Sequence, residues 1–371
     1  MLVGVPKEIK DSEYRVGLVP STVRELTLKG HRVLIEKDAG VGAGLADDAY
    51  VAAGAEIAAS ANRVFADAEL IVKVKEPLAP ERKKLRHGQV LFTYLHLAPD
   101  RAQAEDLLAS GCIAIAYETV TSPLGGLPLL MPMSEVAGRM APQAGAHCLE
   151  KEIGGRGVLL GGVPGVPAAD VLVLGGGTVG ANAARIAAGM GADVTVMDRN
   201  PDVLRRIDNT LSGVRTVFST RDAIETLCRR ADLIIATVLI PGAKAPKLIT
   251  AETVRAMKPG AVIVDVAIDQ GGCAETSRPT THSHPTYIVD DVVHYCVANM
   301  PGAVARTSTF ALNNMTLPHV IALADNGYRI ALGQDPHLRA GLNVHEGRIT
   351  YKAVADALKL PYVPAEQALR M

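Results

Sequence analysis

The chain has 371 residues, of which 48% are hydrophobic and 21% are charged, so it can bury a core and is not a disordered protein. Its 38 basic and 39 acidic residues give a formal charge of −1, and the absence of tryptophan argues against a nucleic-acid partner. The sequence has no apolar run of about 18 residues and no signal-peptide pattern at its start. These features predict a cytoplasmic protein of two domains, with no membrane partner.

The chain has five cysteines: Cys112, Cys148, Cys228, Cys273 and Cys296. Their odd number, wide spacing and lack of a C-x-x-C pair predict reduced, mostly buried thiols rather than a disulfide framework or a zinc site. The tightest histidine pair, His282 and His284, stands beside Pro285 and is typical of a polar loop. We therefore expect no metal site.

The first third of the chain alternates short apolar runs with helical patterns. The predicted strands cover residues 2–6, 32–37, 70–74, 89–95 and 112–117. The predicted helices cover residues 22–29, 47–53, 79–85 and 100–109. Strands rich in Val, Ile and Leu that alternate with helices favour a parallel, doubly wound α/β sheet.

The middle of the chain repeats this pattern and predicts a second βαβ domain. Its predicted strands cover residues 171–174, 193–197, 216–218, 233–237, 261–266 and 295–297, with a helix at 179–190. Long helical stretches at 134–150, with Ser134 as N-cap, and at 308–325 are expected to join the two Rossmann-like domains. The remaining C-terminal residues are too few for a third domain, so we expect them to complete the first.

A glycine-rich turn follows the predicted strand at 171–174. Gly175, Gly177 and Gly180 match G-x-G-x-x-G between a strand and a helix, which is the setting that this dinucleotide fingerprint requires. The first glycine permits the tight turn, the second lets a pyrophosphate approach and the third allows the helix to pack. The pyrophosphate would bind at the helix N-terminus, next to Thr178 and Val179.

Asp198 ends the next predicted strand, 21 residues after Gly177. A carboxylate there can accept hydrogen bonds from the adenosine ribose and repel a 2′-phosphate, which favours NAD over NADP. An aspartate in an ordinary strand-end turn is the alternative, and Arg199 beside it could accommodate a phosphate. The glycines in register favour the cofactor interpretation. Residues 129–305 are accordingly predicted to form an NAD-binding domain, and residues 1–128 with 306–371 a discontinuous substrate domain.

Ligands of open α/β sheets bind at the carboxyl ends of the strands, so the residues there are candidates for the site. These are Arg15, Lys73, Lys75, His96 and Glu118 in the first domain, and Ser219, Val238, Leu239, Asp269 and Asn299 in the second. Arg15 and Lys75 suit a substrate carboxylate, and His96 and Asp269 suit proton transfer. The alternatives are solvated surface cations, a strand-capping histidine and an aspartate that orders the turn at residues 270–272.

Eight strings in the sequence resemble the alanine dehydrogenase family. They are GVPKEIK at 4–10, EYRV at 13–16, KVKEP at 73–77, YLHLA at 94–98, PMSEVAG at 132–138, VLIPGAKAP at 238–246, DVAIDQGG at 265–272 and YCVANMP at 295–301. The resemblance runs from residue 1 to about residue 328, with a weaker tail. It implies an NAD-dependent oxidoreductase that converts L-alanine, water and NAD to pyruvate, ammonium and NADH, in either direction.

The resemblance also implies roles for individual residues. Arg15 and Lys75 would bind substrate, His96 would be the acid/base and Asp269 the second catalytic group. The implied cofactor contacts are Ser134, Gly175, Gly177, Thr178, Val179, Gly180, Asp198, Ser219, Val238, Leu239, Ala267, Ile268, Arg278, Val297, Ala298, Asn299 and Met300. One departure is Val203, where relatives can carry a basic residue. The family further implies a homohexamer.

Two related proteins remain as alternatives: the nucleotide-binding subunit of a proton-translocating transhydrogenase, and a dehydrogenase of a larger amino acid such as saccharopine. The transhydrogenase subunit is expected to carry a polar loop of Arg, Gln, Asp and Ser near the nicotinamide. Residues 129–134 of this chain, LLMPMS, are mostly apolar. The sequence therefore favours the alanine dehydrogenase.

Overall fold

The computed structural model describes residues 1–238 and 245–370 of the chain. The chain divides into two compact units, one of Met1–Met133 with Gly302–Met371 and one of Ser134–Pro301. In the part that the structure describes, no helix combines the length and the apolar character needed to cross a membrane.

The strands, in chain order, are β1 (Leu2–Val5), β2 (Arg32–Glu36), β3 (Glu56–Ala58), β4 (Leu70–Val72), β5 (Val90–Thr93), β6 (Ile113–Ala116), β7 (Asp170–Leu174), β8 (Asp193–Asp198), β9 (Arg215–Phe218), β10 (Leu233–Ala236), β11 (Val262–Asp265), β12 (Thr286–Val289), β13 (Val292–Tyr295), β14 (Leu342–His345) and β15 (Arg348–Ile349). The helices are α1 (Pro20–Leu28), α2 (Asp47–Ala52), α3 (Ala61–Asp67), α4 (Ala79–Arg82), α5 (Arg101–Ser110), α6 (Met131–Cys148), α7 (Thr178–Gly189), α8 (Pro201–Thr210), α9 (Arg221–Arg230), α10 (Ala251–Arg255), α11 (Ala305–Gln334), α12 (Pro336–Arg339), α13 (Lys352–Leu358) and α14 (Ala365–Ala368). Short 3₁₀ turns cover Tyr117–Thr119, Val266–Gln270 and Met300–Val304.

The sheet of the first unit has the strand order β15-β14-β6-β5-β4-β1-β2-β3. Its first six strands in sequence pair in parallel, and Val3 of β1 lies opposite Val33 of β2 and Leu70 of β4. The C-terminal strands β14 and β15 add to the β6 edge by antiparallel pairing. The strand order therefore reverses between β1 and β4, where ligands of such sheets bind.

The sheet of the second unit has the order β12-β13-β11-β10-β7-β8-β9. All of its pairs are parallel except β12 with β13. The reversal falls between β7 and β10, whose ends Leu174 and Ala236 lie opposite each other. Without the edge strand β12, this is the Rossmann strand order, and the parallel part of the first sheet repeats it.

Burial explains why these segments become strands of parallel sheets. Every residue of β4, β5, β6, β10 and β11 is buried, as is expected for apolar runs covered by helices on both faces. The prediction of two doubly wound α/β units is therefore confirmed.

The ends of several predicted elements differ from those observed, and two of these differences concern predicted site residues. Ser134 is not an N-cap, because α6 already begins at Met131, where the Met131 N–H bonds to the Leu127 carbonyl. In place of the strand predicted at 295–297, strand β13 covers Val292–Tyr295, and an unpredicted antiparallel partner, β12, pairs with it. A side-chain pattern locates such elements, but backbone hydrogen bonds set their ends.

Candidate active site

In the first unit, a buried lysine lies where the strand order reverses. Lys73 follows β4 directly, and Glu8 lies just beyond the end of the neighbouring strand β1. The Lys73 ammonium donates to Glu8 Oε2 at 3.0 Å and to Glu81 Oε1 at 2.7 Å, and its side chain is 0% exposed. Of the two lysines predicted at this edge, Lys73 is thus a structural cation.

The charges of Lys73, Glu8 and Glu81 connect the ends of two strands to a helix. Burial alone would lower the pKa of Lys73, but the carboxylates of Glu8 and Glu81 raise it above its usual value. The second oxygen of Glu81 accepts the Leu78 N–H at 2.8 Å, at the start of α4. The ammonium therefore stays protonated and connects the ends of β1 and β4 to α4.

The same glutamate fixes the backbone that carries Lys75. Glu8 Oε1 accepts the Val74 N–H at 2.7 Å and the Lys75 N–H at 3.4 Å. On the other side, the Thr93 hydroxyl donates to the Lys75 carbonyl at 2.9 Å. These hydrogen bonds fix the Lys75 backbone on both sides. The Lys75 side chain itself is half-buried at the edge of the site.

Arg15 is not a solvated surface cation, because its side chain is 1% exposed. Its Nε and Nη2 donate to the two oxygens of Glu13 at 2.7 and 2.6 Å, and Nη1 donates to Met133 Sδ at 3.0 Å. Burial opposes the charge of Arg15, but the hydrogen bonds and charge of Glu13 raise its pKa above the usual value. The guanidinium is therefore charged and held in one orientation.

The segment after Arg15 is fixed by helix α11 and by the end of β4. The Asn313 side chain accepts the Val19 N–H at 2.9 Å and donates to the Gly17 carbonyl at 3.1 Å. A Cβ at Gly17 would overlap the Val72 carbonyl, so glycine is needed for this close approach. These contacts bring the Arg15 segment to the same sheet edge as Lys73 and Lys75.

His96 and Glu118 come from the adjacent strands β5 and β6. The imidazole of His96 is 46% exposed, and it stacks on the Tyr94 ring with 5.8 Å between centroids. Burial raises the pKa of the Tyr94 hydroxyl, on which the charges of Arg15 and Glu118 act in opposite directions. Tyr94 thus stacks on His96 and lies within electrostatic range of Arg15 and Glu118.

In the second unit, the glycine-rich turn has the predicted strand–turn–helix geometry. Gly175 has a φ of 97°, and a Cβ on Gly180 would overlap the Gly175 carbonyl oxygen. Apart from Gly177 and its two chain neighbours, no described residue has an atom within 4 Å of the Cβ position of Gly177, so this turn is open to a ligand. Thr178 is the first residue of α7, and its turn fits a pyrophosphate at the helix N-terminus.

Asp198 is hydrogen-bonded to the glycine-rich turn itself. Its Oδ2 accepts the Gly176 N–H at 2.7 Å and its Oδ1 accepts the Asn200 N–H at 2.8 Å. Each carboxylate oxygen has a second acceptor site, which is what two ribose hydroxyls require. The carboxylate of Asp198 is therefore held at the glycine-rich turn by two backbone N–H groups.

Two further side chains shape this end of the turn. Val203, where relatives can carry a basic residue, packs so closely on Gly176 that a Cβ there would meet Val203 Cγ1 at 2.6 Å. Arg206, which was not predicted from the sequence, donates to the Gly176 carbonyl at 2.9 Å. Arg206 lies three residues after Val203 and therefore on the same face of α8. This spacing is the sequence signal that could have identified it.

The other predicted cofactor residues also belong to the second unit. Ser134 lies in α6, Ser219 follows β9, Val238 follows β10, Ala267 and Ile268 lie in the 3₁₀ turn after β11, Arg278 lies over the Tyr287 ring, and Val297, Ala298, Asn299 and Met300 follow β13. The Ser219 N–H donates to the Asp198 carbonyl at 3.0 Å, which joins those two strand ends. Leu239 lies outside the described residues.

Asp269 is exposed on the 3₁₀ turn Val266–Gln270, and no hydrogen bond of its side chain to another described residue is found. The following turn is ordered by backbone bonds from Gly271 and Gly272 and by Lys247, which donates to the Gly271 carbonyl at 2.6 Å. The alternative interpretation required Asp269 to order that turn. The hydrogen bonds found there come from other groups.

Three buried glutamates, Glu8, Glu13 and Glu81, had no role predicted from the sequence. Glu13 stands two residues from Arg15, a spacing that signals an ion pair only when both side chains are buried.

All five cysteines are buried and unpaired, as predicted. Within residues 1–238 and 245–370, no group of His, Cys, Asp and Glu has the arrangement of a metal site.

Comparison with known proteins agrees with this geometry. Residues 4–137 match the family model "Alanine dehydrogenase/PNT, N-terminal domain", and residues 141–352 match "Alanine dehydrogenase/PNT, C-terminal domain". The alanine dehydrogenase of Halomonas elongata is 61% identical over 98% of this chain and 99% of its own length. That of Mycolicibacterium smegmatis is 56% identical over the full length of both.

Solved structures extend the comparison. An L-alanine dehydrogenase superposes with a TM-score of 0.94 at 52% identity, covering 97% of this chain and 99% of that chain. A transhydrogenase from Sinorhizobium meliloti, at 24% identity and a TM-score of 0.81, shares the fold; it covers 95% of this chain and 100% of that one.

The chain therefore belongs to the alanine dehydrogenase/PNT family, and the resemblance predicted from its sequence is confirmed. The family and the Rossmann-like second unit imply a nicotinamide dinucleotide as cofactor.

The buried trio gives a stability prediction. Lys73→Met leaves Glu8 and Glu81 buried without their cation, which should lower the free energy of unfolding by about 3–5 kcal/mol. The matched control is Lys29→Met, because Lys29 pairs with Asp325 at 2.9 Å on the surface and should contribute less than about 1 kcal/mol. Urea denaturation measures both, and equal losses would contradict the role given to Lys73.

Proposed function

We propose that this chain is an NAD-dependent L-alanine dehydrogenase. The reaction takes L-alanine, water and NAD⁺ to pyruvate, ammonium, NADH and a proton, and it runs in both directions. The observation that carries the proposal is the association of Arg15, Lys75 and His96 with one sheet edge, in a member of the alanine dehydrogenase family. A small anion with a reacting carbon next to its carboxylate is what such an edge suits.

Arg15 and Lys75 are proposed to bind the substrate carboxylate. The Arg15 guanidinium is oriented by Glu13, and its Nη1 donates to the sulfur of Met133. A thioether is a weak acceptor, so a carboxylate oxygen would form the stronger, charge-assisted hydrogen bond in its place. Lys75 acts as a point charge, which can also polarise the carbonyl of pyruvate.

His96 and Asp269 are proposed to carry the protons. When bound, NAD would supply the acceptor for a hydride from the substrate Cα. Water then adds to the resulting iminium and ammonia leaves, and each step needs a group that can take or give a proton. Both side chains are exposed, and imidazole and carboxylate groups are common general acids and bases in enzymes.

The cofactor is proposed to be NAD rather than NADP, held by the residues at the carboxyl edge of the second sheet. The support comes from Asp198, whose carboxylate is fixed at the glycine-rich turn. The two glycines Gly175 and Gly180 and the open Gly177 give the pyrophosphate room, and the remaining contacts are those predicted from the sequence.

The family resemblance and the chain's composition support two further proposals. We infer a homohexamer in the cytoplasm, where the five buried thiols stay reduced. Light scattering should give a mass six times the 38.9 kDa of one chain. A monomer at micromolar concentration would contradict the assembly but not the activity.

The first activity test is oxidation of NADH by the purified chain with pyruvate and ammonium. His96→Ala should lower kcat by at least about 10²-fold, because removing a general acid/base typically costs 10²- to 10⁴-fold. The control is His87→Ala, an exposed histidine before the amino end of β5, which should leave kcat unchanged. NADH binding without turnover in the unsubstituted chain would instead favour the role of a non-catalytic NAD sensor.

The cofactor test compares NADH with NADPH. We expect a strong preference for NADH, since a 2′-phosphate would meet the Asp198 carboxylate, and Asp198→Ala should narrow the preference, chiefly through KM. Asp193→Ala changes an exposed aspartate at the opposite end of β8 and should leave the preference as it is. Equal kcat/KM for the two cofactors in the unsubstituted chain would overturn the assignment.

A further inference from the structure

The backbone at His96 has an unusual conformation for a residue with a side chain. Strand β5 ends at Thr93, and three residues later His96 has a φ of 48°, in the left-handed region. This region is unfavourable for residues that carry a Cβ, and such residues keep it only when their surroundings hold them there. An identifiable group must therefore stabilise the chain at this point.

Glu118 is that group. It lies in the 3₁₀ turn that follows β6, and β6 pairs with β5 so that Thr93 lies opposite Ala116. Glu118 Oε1 accepts the His96 N–H at 2.6 Å, and the Leu95 N–H is 3.2 Å from both carboxylate oxygens. One side chain thus binds two successive backbone donors at the point where the chain turns.

The conformation decides where the imidazole lies. The His96 ring is parallel to the Tyr94 ring within 7°, and its Nδ1 is 4.0 Å from Glu118 Oε1. Tyr94 is itself anchored, because its hydroxyl donates to the Leu129 carbonyl at 2.5 Å. The imidazole is exposed, whereas the Glu118 side chain is only 16% exposed. The Glu118 carboxylate therefore contacts His96 from the buried side, and the imidazole stays exposed.

We propose that Glu118 is the positioning residue for His96: its carboxylate holds the 95–96 backbone in the left-handed turn that presents the imidazole to the substrate. The proposal rests on the acid/base role of His96 proposed above. Glu118 acts through the backbone, and it does not need to touch the substrate. The geometry required is an acceptor oxygen at the Glu118 position, which a glutamine also supplies.

Two substitutions separate the acceptor from the charge. Glu118→Ala removes the acceptor and should lower kcat by about 10- to 100-fold, part of the loss expected for the acid/base itself, with little change in the KM for NADH. Glu118→Gln keeps an oxygen for the two N–H groups and should stay within about fivefold of the unsubstituted chain. A glutamine variant as poor as the alanine variant would overturn the proposal, because charge and not the backbone contact would then carry the effect.

A double variant tests whether Glu118 acts through His96. If it does, His96→Ala with Glu118→Ala should have nearly the kcat of His96→Ala alone, since coupled residues are not additive. Multiplied losses would show an independent role and refute the positioning mechanism. The control Glu69→Ala removes a carboxylate that accepts the Leu2 N–H at 2.9 Å, before the amino end of β4, and should leave kcat unchanged.

Hydrogen exchange gives a readout that does not depend on activity. In the full-length protein, the peptide containing Leu95 and His96 should exchange faster in Glu118→Ala and at the normal rate in Glu118→Gln. Unchanged exchange in the alanine variant, with its melting temperature preserved, would refute the backbone contact. If the unsubstituted chain oxidises no NADH with pyruvate and ammonium, the proposed function fails, and the exchange result still decides whether Glu118 fixes this turn.

Discussion

The carboxyl edge of the first sheet depends on the ion pairs of one buried group, the ammonium of Lys73. An isolated buried charge is strongly unfavourable, so Lys73 must be paired, and it is paired with carboxylates from two different segments, Glu8 and Glu81. Each carboxylate also binds backbone, since Glu8 accepts N–H groups at 74–75 and Glu81 accepts the Leu78 N–H before α4. One cation thereby fixes both the strand end that carries Lys75 and the start of a helix.

The two units build their candidate sites by different physical means. At the first sheet, buried ion pairs such as Glu13 with Arg15 hold charged side chains in fixed orientations. At the second, backbone geometry dominates: Gly175 and Gly180 let α7 approach its strand, and Asp198 accepts backbone N–H groups. A small anion needs directed charge, whereas a long dinucleotide needs room along the backbone, so this difference matches the ligands proposed for each unit.

The sequence predicted most of the parallel strands, though not β3, and the glycine-rich turn, because both have strong local signals, apolar runs and a fixed glycine spacing. The sequence selected Lys75 for the substrate, but it could not show that Lys73 is a buried, ion-paired cation. The two have the same chemistry and lie two residues apart, and their roles separate only when Glu8 and Glu81 arrive from elsewhere in the chain. Ser134 was predicted as an N-cap, but it lies inside α6, which already begins at Met131. A serine marks a helix start only when the residues before it are not helical.

The buried charges also explain why two different cations are proposed for one substrate carboxylate. Glu13 pairs with Arg15 inside the protein, and Glu8 and Glu81 share Lys73, where burial raises the pKa of Glu8. Lys75 is half-buried at the same sheet edge, and its proposed part is Coulomb attraction of the substrate carboxylate. Arg15, locked by Glu13, contributes direction instead, through N–H groups with a fixed geometry. Arginine and lysine are therefore not interchangeable at these two positions, although each supplies one positive charge.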